Sequence, residues 1–282
     1  TIMACALRGS ALSVRRFASE AAGAAFRVWP QGGGVVHVSA SVHPSARIEP
    51  CAVVLPDASL DADVSIGATS VVGAGVRVGA RTLVGPGVRL AHCTVGSDCT
   101  LHAGVCIGAD GFGFDIGADG ALTKRPQLLR ALIGAHVEIG ANSCVDRGSW
   151  RDTVIGAYTK LDNLVQVGHN VHIGEHCLLC AHVALGGSCT LGDHVVMGGK
   201  SAVRDHVSVA SRVRIAAKAG VCASIAEPGD YAGFPAERAA RWRRRVVAMR
   251  WAFDRLDRAE VARLVRDGAF GLRRRREGAA PC

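Results

Sequence analysis

Residues 155–197 read IGAYTKLDNLVQVGHNVHIGEHCLLCAHVALGGSCTLGDHVVM. Every sixth residue from Ile155 is a large aliphatic: Ile155, Leu161, Val167, Ile173, Leu179, Leu185, Leu191 and Met197. The series continues through Val203, Val209, Ile215 and Val221. Upstream it runs by sixes from Val42 to Leu90, takes one short step to Val95, and reaches Leu101 and Ile107. Ile133, Ile139 and Val145 carry it between two interruptions. A second register lies four residues after the first and is small or β-branched: Ala46, Ala52, Ala58, Val64, Ser70, Val76 and Thr82, later Thr159, Val165 and Val171. Cys99, Cys177 and Cys189 share it and read as small core fillers.

A period of six is neither the helical 3.6 nor the strand alternation of two. It suits short strands joined by tight corners, with one aliphatic per strand pointing inward. Three such steps close one triangular coil, so every third aliphatic returns to the same face. Coils stacked at the strand spacing of about 4.8 Å would build a prism of about nine turns. Gly or Ala often follows the aliphatic, where the chain is expected to turn a corner. The expected class is mainly β, with the prism over residues 41–226, a loop insertion at 108–132, and a helical extension over 227–282.

Composition agrees. Of 282 residues 49% are hydrophobic but only 5% aromatic, with 35 glycines, as a core of small aliphatics and many turns requires. No apolar run approaches the roughly 18 residues of a membrane span. The eleven cysteines form no regular pairing pattern, and Cys177-x-x-Cys180 has no second pair to complete a chelate. Packed reduced thiols suit an intracellular compartment.

The net charge of +9 belongs to the two ends. Residues 1–40 hold four arginines and one acid, and residues 237–282 fourteen arginines and six acids, so the middle is slightly acidic. Within the first end, Ser13-Val-Arg-Arg-Phe-Ala-Ser resembles an organelle-import presequence processed near Phe17, with the mitochondrion favoured over chloroplast or cytoplasm. Gly32-Gly33-Gly34 then reads as a linker. At the second end, Trp242, Val246, Met249, Phe253 and Leu256 step as one helical stripe, with Arg241, Arg243, Arg244, Arg245 and Arg250 largely off it. The helix either caps the prism or offers a basic dock for an acidic partner; no aromatics interleave to suggest nucleic acid. Beyond Arg273 the chain reads as a disordered tail.

Two breaks matter for function. Residues 108–132, GADGFGFDIGADGALTKRPQLLRAL, must leave the prism as a loop, and loops of that length are usually functional. Val145-Asp-Arg-Gly-Ser-Trp-Arg-Asp-Thr is a shorter break of the same sort. Most histidines fall on outward or corner positions. His176 and His194 lie one full coil apart and stack on adjacent coils, half of a zinc site with no third imidazole clearly placed to complete it. His169 has a more specific setting. Gly187 lies one coil above it, where a bare backbone N–H can approach a ligand. His206 lies two coils up, about 10 Å along the axis.

The hexameric pattern resembles the hexapeptide-repeat family, whose members form a left-handed parallel β-helix and act mostly as trimeric acyltransferases with sites between neighbouring prisms. Asp110-Gly-Phe-Gly-Phe114, Val145-Asp-Arg-Gly148, Asp162-Asn163, Gln166-Val-Gly-His-Asn170 and Gly198-Gly-Lys-Ser-Ala-Val-Arg-Asp-His206 together resemble, over residues 42–266, the UDP-3-O-acylglucosamine N-acyltransferases of lipid A biosynthesis. The resemblance implies His169 as general base, Asp162 as its acidic partner and Gly187 as oxyanion donor. It implies Asp110, Phe112, Phe114, Asn163, Gln166, Asn170 and His206 as substrate contacts, and Arg241, Arg243, Arg244 and Arg245 as the dock for acyl carrier protein. The acceptor would be the 2-amino group of UDP-3-O-acylglucosamine. The donor would be a 3-hydroxyacyl thioester on the phosphopantetheine of the carrier protein. No metal, other cofactor or covalent enzyme intermediate is needed. The family usually carries an N-terminal uridine-binding domain, whereas the repeat here already begins at Val42. Either prism loops hold the nucleotide or the acceptor differs. The competing readings are a zinc carbonic anhydrase-like trimer and a non-catalytic structural prism of an organelle complex.

Overall fold

The computed structural model describes residues 25–233 and 236–253. The presequence-like stretch around Arg15 and Phe17, and the tail beyond Phe253, lie outside the described residues. The chain divides into two units, one through Glu237 and one from Arg238 onward.

The first unit is a parallel β-helix of two- to four-residue strands. Three columns form the three faces of a prism. The first face has eleven strands from Phe26–Val28 to Gly220–Val221, the second nine from Ser41–Val42 to Ser208–Val209, and the third ten from Arg47–Ile48 to Gly229–Ala232. Stacking is in register at the expected interval, as in Val167 beside Leu185 and Ile173 beside Leu191. Of the 27 aliphatics in the hexameric series, 26 are buried, and Val42 is partly buried at the end of the core. The second register fills the space between them. Where it is polar, the hydroxyl is satisfied by neighbouring coils: Thr159 Oγ1 donates to Gly174 O at 2.9 Å and accepts from Cys177 N at 3.0 Å. Cys99, Cys177 and Cys189 are buried there, and Cys180 is exposed, so the CxxC pair points two ways.

Three details depart from the expectation. The prism is longer at both ends. Val36, six residues before Val42, is buried and pairs in register with Val54. Gly229–Ala232 adds a rung beside Val213–Ile215, with Tyr231 opposite Ile215 two positions short of a full coil, which takes it out of phase with the hexameric series. Gly32–Gly34 is no linker: it turns the chain between antiparallel Phe26–Val28 and Val35–His37. Trp29, buried beside that turn, donates its Nε1–H to Ala46 O at 2.7 Å. Finally, the strained corner residue comes three positions after the aliphatic, not one. Cys51, Asp57, Asp63, Asn170, His176 and many others hold φ near +60° there without being glycine.

Because each coil contacts only its neighbours, a mid-prism core residue stabilises two interfaces. Ile173 is fully buried. Ile173→Ala is expected to cost about 2–5 kcal/mol, measured as a lowered urea midpoint.

The second unit contains the helix Ala239–Phe253. Of its expected stripe Trp242 is 39% and Met249 46% exposed, Val246 is partly buried, and Val247 and Trp251 are exposed beside it. Arg241, Arg243, Arg244 and Arg245 are on this helix.

Candidate active site

His169 follows Val167 by two residues, at the corner between the first and second faces. Its backbone O accepts from Ser188 N at 2.8 Å, so Gly187 is its neighbour one coil up. A Cβ on Gly187 would lie 2.7 Å from both Cε1 and Nε2 of His169. The ring therefore presses its Nε2 edge against a bare backbone position. His206 comes next in the same column, its backbone N donating to Gly187 O at 3.1 Å.

The long insertion leaves the prism at this corner. Cys106–Ala109 runs beside Cys144–Asp146 with a register shift at the exit. The excursion forms an antiparallel hairpin, Phe114–Ile116 against Leu122–Lys124. Its first residues fold back over His169: a Cβ on Gly111 would lie 2.5 Å from His169 Cβ and 2.7 Å from Cδ2. The imidazole is thus held between two glycines. Lys124 Nζ donates to Asp110 Oδ2 at 2.8 Å and ties the strap at its base. Arg147 Nε stands 3.0 Å from Asp110 Oδ1, an ion pair in which the N–H is not aimed at the carboxylate. Phe112 and Phe114 pack edge to face, their ring centres 5.1 Å apart, and Phe112 is 87% exposed.

Asp110, Phe112, Phe114, Lys124, Asp146, Gln166, His169 and Gly187 line one open cleft of about 580 Å³. Of the expected site residues it therefore gathers six: Asp110, Phe112, Phe114, Gln166, His169 and Gly187. His206 stands in the next coil of the same column. Asp162 and Asn163 are elsewhere in this chain. They follow Leu161, a third-face residue, so they occupy the corner between the third and first faces and line a different cleft of about 650 Å³. Asp162 accepts there from Asn163 N at 2.7 Å and Ala181 N at 3.0 Å, and Asn163 from Ala141 N at 2.7 Å. Asp162 is therefore not the partner of His169 within one chain.

Asn170 also departs from its expected role. It is 1% exposed and reaches no solvent. The short break folds over it. Oδ1 accepts from Ser149 N at 2.7 Å, and Nδ2 donates to Ser149 Oγ at 3.0 Å, to Ser188 Oγ at 3.3 Å and to His169 Nδ1 at 2.8 Å. Arg151 staples the same region, donating to Asn170 O at 2.7 Å and Ser188 O at 3.0 Å. Asn170 supports the imidazole from beneath instead of meeting substrate.

The reading from sequence missed Asp146. It follows Val145, which pairs with Val167, so it lies one coil below Gly168 and faces the cleft. Gln166 Nε2 donates to its Oδ1 at 3.3 Å. Burial raises its pKa to about 6, the Asp110 charge adds to that, and the Gln166 bond opposes it. Asp110 behaves oppositely, its pKa held down chiefly by the hydrogen bond from Lys124. Burial also lowers the pKa of His169. The charges of His206 and Arg125 push the same way, and a hydrogen bond to the Phe112 backbone opposes them. An imidazole whose charged form burial disfavours, a bare amide and a carboxyl whose pKa is pushed up to about 6 are the groups an acyl transfer to an amine uses.

The ring pair His176 and His194 does stack, at 5.0 Å and 7°. Tyr158 and His136 extend the stack to four rings. Parallel faces point their nitrogen lone pairs along parallel planes, so the two imidazoles do not converge on one ion. Among the described residues no group of three His, Cys, Asp or Glu side chains is placed to hold a metal.

The family described as "Bacterial transferase hexapeptide (six repeats)" matches residues 152–187, which include His169 and Gly187. Over 160 residues the chain is 50% identical to the Arabidopsis thaliana protein named "Probable UDP-3-O-acylglucosamine N-acyltransferase 2, mitochondrial", covering 57% of this chain and 53% of that one. Over 162 residues it is 41% identical to a UDP-3-O-acylglucosamine N-acyltransferase of Herminiimonas arsenicoxydans, covering 57% and 46%. The chain thus spans about half the length of the curated relatives it matches. Among solved structures, LpxA from Acinetobacter baumannii aligns with a TM-score of 0.57 at 22% identity, over 74% of this chain and 76% of that one. The UDP-N-acetylglucosamine acyltransferase of Arabidopsis aligns at 0.58 and 19% identity, over 72% of each. These structures share the fold. The chain is a left-handed hexapeptide-repeat β-helix, similar over 160 residues to UDP-3-O-acylglucosamine N-acyltransferases.

Proposed function

We propose that this protein is an N-acyltransferase that moves a 3-hydroxyacyl group from acyl carrier protein to the 2-amino group of UDP-3-O-acylglucosamine. The observation that carries the reading is the His169–Gly187 contact within a cleft that also holds Asp146. An amine entering the cleft attacks the thioester carbonyl, and the Gly187 N–H is the donor for the developing oxyanion. The resemblance assigns removal of the amine proton to His169. The cleft holds two groups able to take it up, His169 and Asp146. The exposed rings of Phe112 and Phe114 offer apolar contact for acyl chains beside the reacting atoms. The reading includes a homotrimer with sites at the seams between copies. It also includes a mitochondrial location, supported by the name of the Arabidopsis relative.

The basic helix Ala239–Phe253 is the proposed dock for the carrier protein, whose acidic surface complements Arg241, Arg243, Arg244 and Arg245. The test is incubation with UDP-3-O-acylglucosamine and 3-hydroxyacyl carrier protein, followed by mass spectrometry. The expected product gains one hydroxyacyl group in amide linkage; an unmodified acceptor rejects the reading. In the same assay, changing Arg243, Arg244 and Arg245 to Glu is expected to raise KM for the carrier-bound donor severalfold and leave kcat nearly unchanged. An unmoved KM removes the helix from the docking role.

A further inference from the structure

We propose that Cys106 and Cys144 form a two-coordinate thiolate site for a soft monovalent cation, copper(I), on the outside of the first face. The inference goes beyond the acyl-transfer reading and does not depend on it.

Register places the two thiols. On neighbouring parallel strands of the first face, Cys106 stands opposite Cys144 and Ile107 opposite Val145. Ile107 and Val145 are buried in the core. Side chains alternate along a strand, so both cysteines point outward. Both are free thiols and half-buried. Among the described residues no other strand pairing sets two cysteines opposite each other. Cys99, Cys177 and Cys189 fill the core, and the exposed Cys51, Cys180 and Cys222 lie outside the strands. Spacing along the sequence hides the pair, because the insertion 108–132 separates its members.

Distance decides what the pair can do. Neighbouring strands lie about 4.8 Å apart, and in-register side chains directed alike keep that separation out to the sulfur. A disulfide wants its Cβ atoms about 3.8 Å apart, so closing one would draw the strands together by about 1 Å. Thiolates joined through a metal need no such movement. Bonds of about 2.3 Å, the zinc–thiolate value, give a linear S–M–S unit about 4.6 Å long. That is close to the strand spacing.

The number of donors selects the ion. Zinc takes four ligands, or three and a water. Among the described residues no group of three His, Cys, Asp or Glu side chains is placed to hold a metal. Asp146, on the same strand as Cys144, is turned to Gln166 and the cleft. Soft thiolates select copper(I), which is stable with two of them in line.

The charges are consistent with such a site. Each thiol loses a proton, each sulfur gives an electron pair to Cu⁺, and no electron is transferred. The bound unit carries one negative charge. Arg89, in register with Cys106 one coil below, lies beside it. Before binding, partial burial holds both thiols above the ordinary range. The Arg89 charge opposes this at Cys106, and the Asp146 charge adds to it at both. Thiols so held are protonated and slow to oxidise, and a coordinating ion is what removes their protons.

The position gives the ion a role. Cys106 opens the strand Cys106–Ala109, which leads into the strap over His169. Cys144 opens Cys144–Asp146, which carries Asp146 to the cleft. The ladder between these strands loses its regular register between Ile107 and Ala109. An ion across the cysteines clamps the two strands just before that irregularity.

The test titrates the full chain anaerobically with copper(I) against bicinchoninate as competing chelator. Cys5, Cys51, Cys180, Cys222 and Cys282 are first changed to serine, which leaves the pair and the buried core thiols. This protein is expected to retain one copper(I) per chain, to show two sulfur neighbours and no other ligand by X-ray absorption, and to melt higher with the ion than without it. Adding Cys106→Ser or Cys144→Ser is expected to abolish retention at the same chelator concentration, with melting close to that of the copper-free parent. No retention by the parent, retention by either serine variant, or three or more ligands on the metal overturns the site. Ready closure of a Cys106–Cys144 disulfide by glutathione disulfide overturns the spacing on which it rests. None of these readouts uses acyl transfer, so their failure is distinct from failure of the proposed activity.

Discussion

His169→Ala is expected to lower kcat/KM for acyl transfer by about 10²-fold or more and to leave the thermal midpoint almost unchanged. The size of the effect follows from the role of the ring, since a positioned base contributes about 10²–10⁴. The small cost to folding follows from what the ring touches. It is half-buried at a corner, outside the aliphatic stack. Its removal leaves the Asn170 NH₂ bonded to Ser149 Oγ and Ser188 Oγ. At most two hydrogen bonds of about 1 kcal/mol each are lost, one with Asn170 and one with the Phe112 backbone. Steady-state rates with carrier-bound donor, set beside a melting curve, separate the two effects. A variant that melts normally and transfers normally would move the chemistry out of this corner, or return the prism to a scaffold.

The fold was legible because a hexapeptide prism repeats one physical demand at each step. Every sixth side chain must fill the axis, so the series from Val42 to Val221 names the core directly. The ends were less legible because the spacing changes there: Tyr231 meets Ile215 two positions short of a full coil. The site divides in the same way. His169 and Gly187 are one full coil apart in an unbroken stretch, so counting alone stacks them. Counting also places Asp162 one face away, since Leu161 and Val167 belong to adjacent faces. The family resemblance drew Asp162 toward His169 against that arithmetic. Asp146 was hidden for another reason. The short break adds extra chain between it and His169, so their separation is not a simple multiple of the repeat, and the pairing of Val145 with Val167 is concealed. Asn170 occupies a corner position that is exposed in most coils. Only the fold of Ser149, Trp150 and Arg151 over it turns it from a surface amide into a buried support, a tertiary event with no periodic signal.

Gly187→Ala should be nearly as damaging as loss of the imidazole, for a reason that can be isolated. The new methyl would lie 2.7 Å from Cε1 and Nε2 of His169, well inside contact distance. A flexible side chain could swing away, but this ring cannot. Gly111 closes its other face, and Asn170 Nδ2 holds Nδ1 at 2.8 Å. The methyl must therefore displace the ring, the strap or the coil, and it also covers the approach to the Gly187 N–H. A misplacement of about 1 Å can cost about 10²-fold, and the loss of an oxyanion donor costs as much again or more. The expected result is a fall in kcat/KM of about 10²-fold or more with little change in melting, because the backbone at Gly187 is not in the left-handed region. Gly199 supplies the control. It holds the same repeat position, two residues after the aliphatic, but a Cβ there meets only Ala181 O, at 3.3 Å. Gly199→Ala should fold and transfer close to normally. If Gly187→Ala matches it in rate, neither a bare amide nor an undisturbed ring is needed at this corner, and the oxyanion donor has to be sought on another coil.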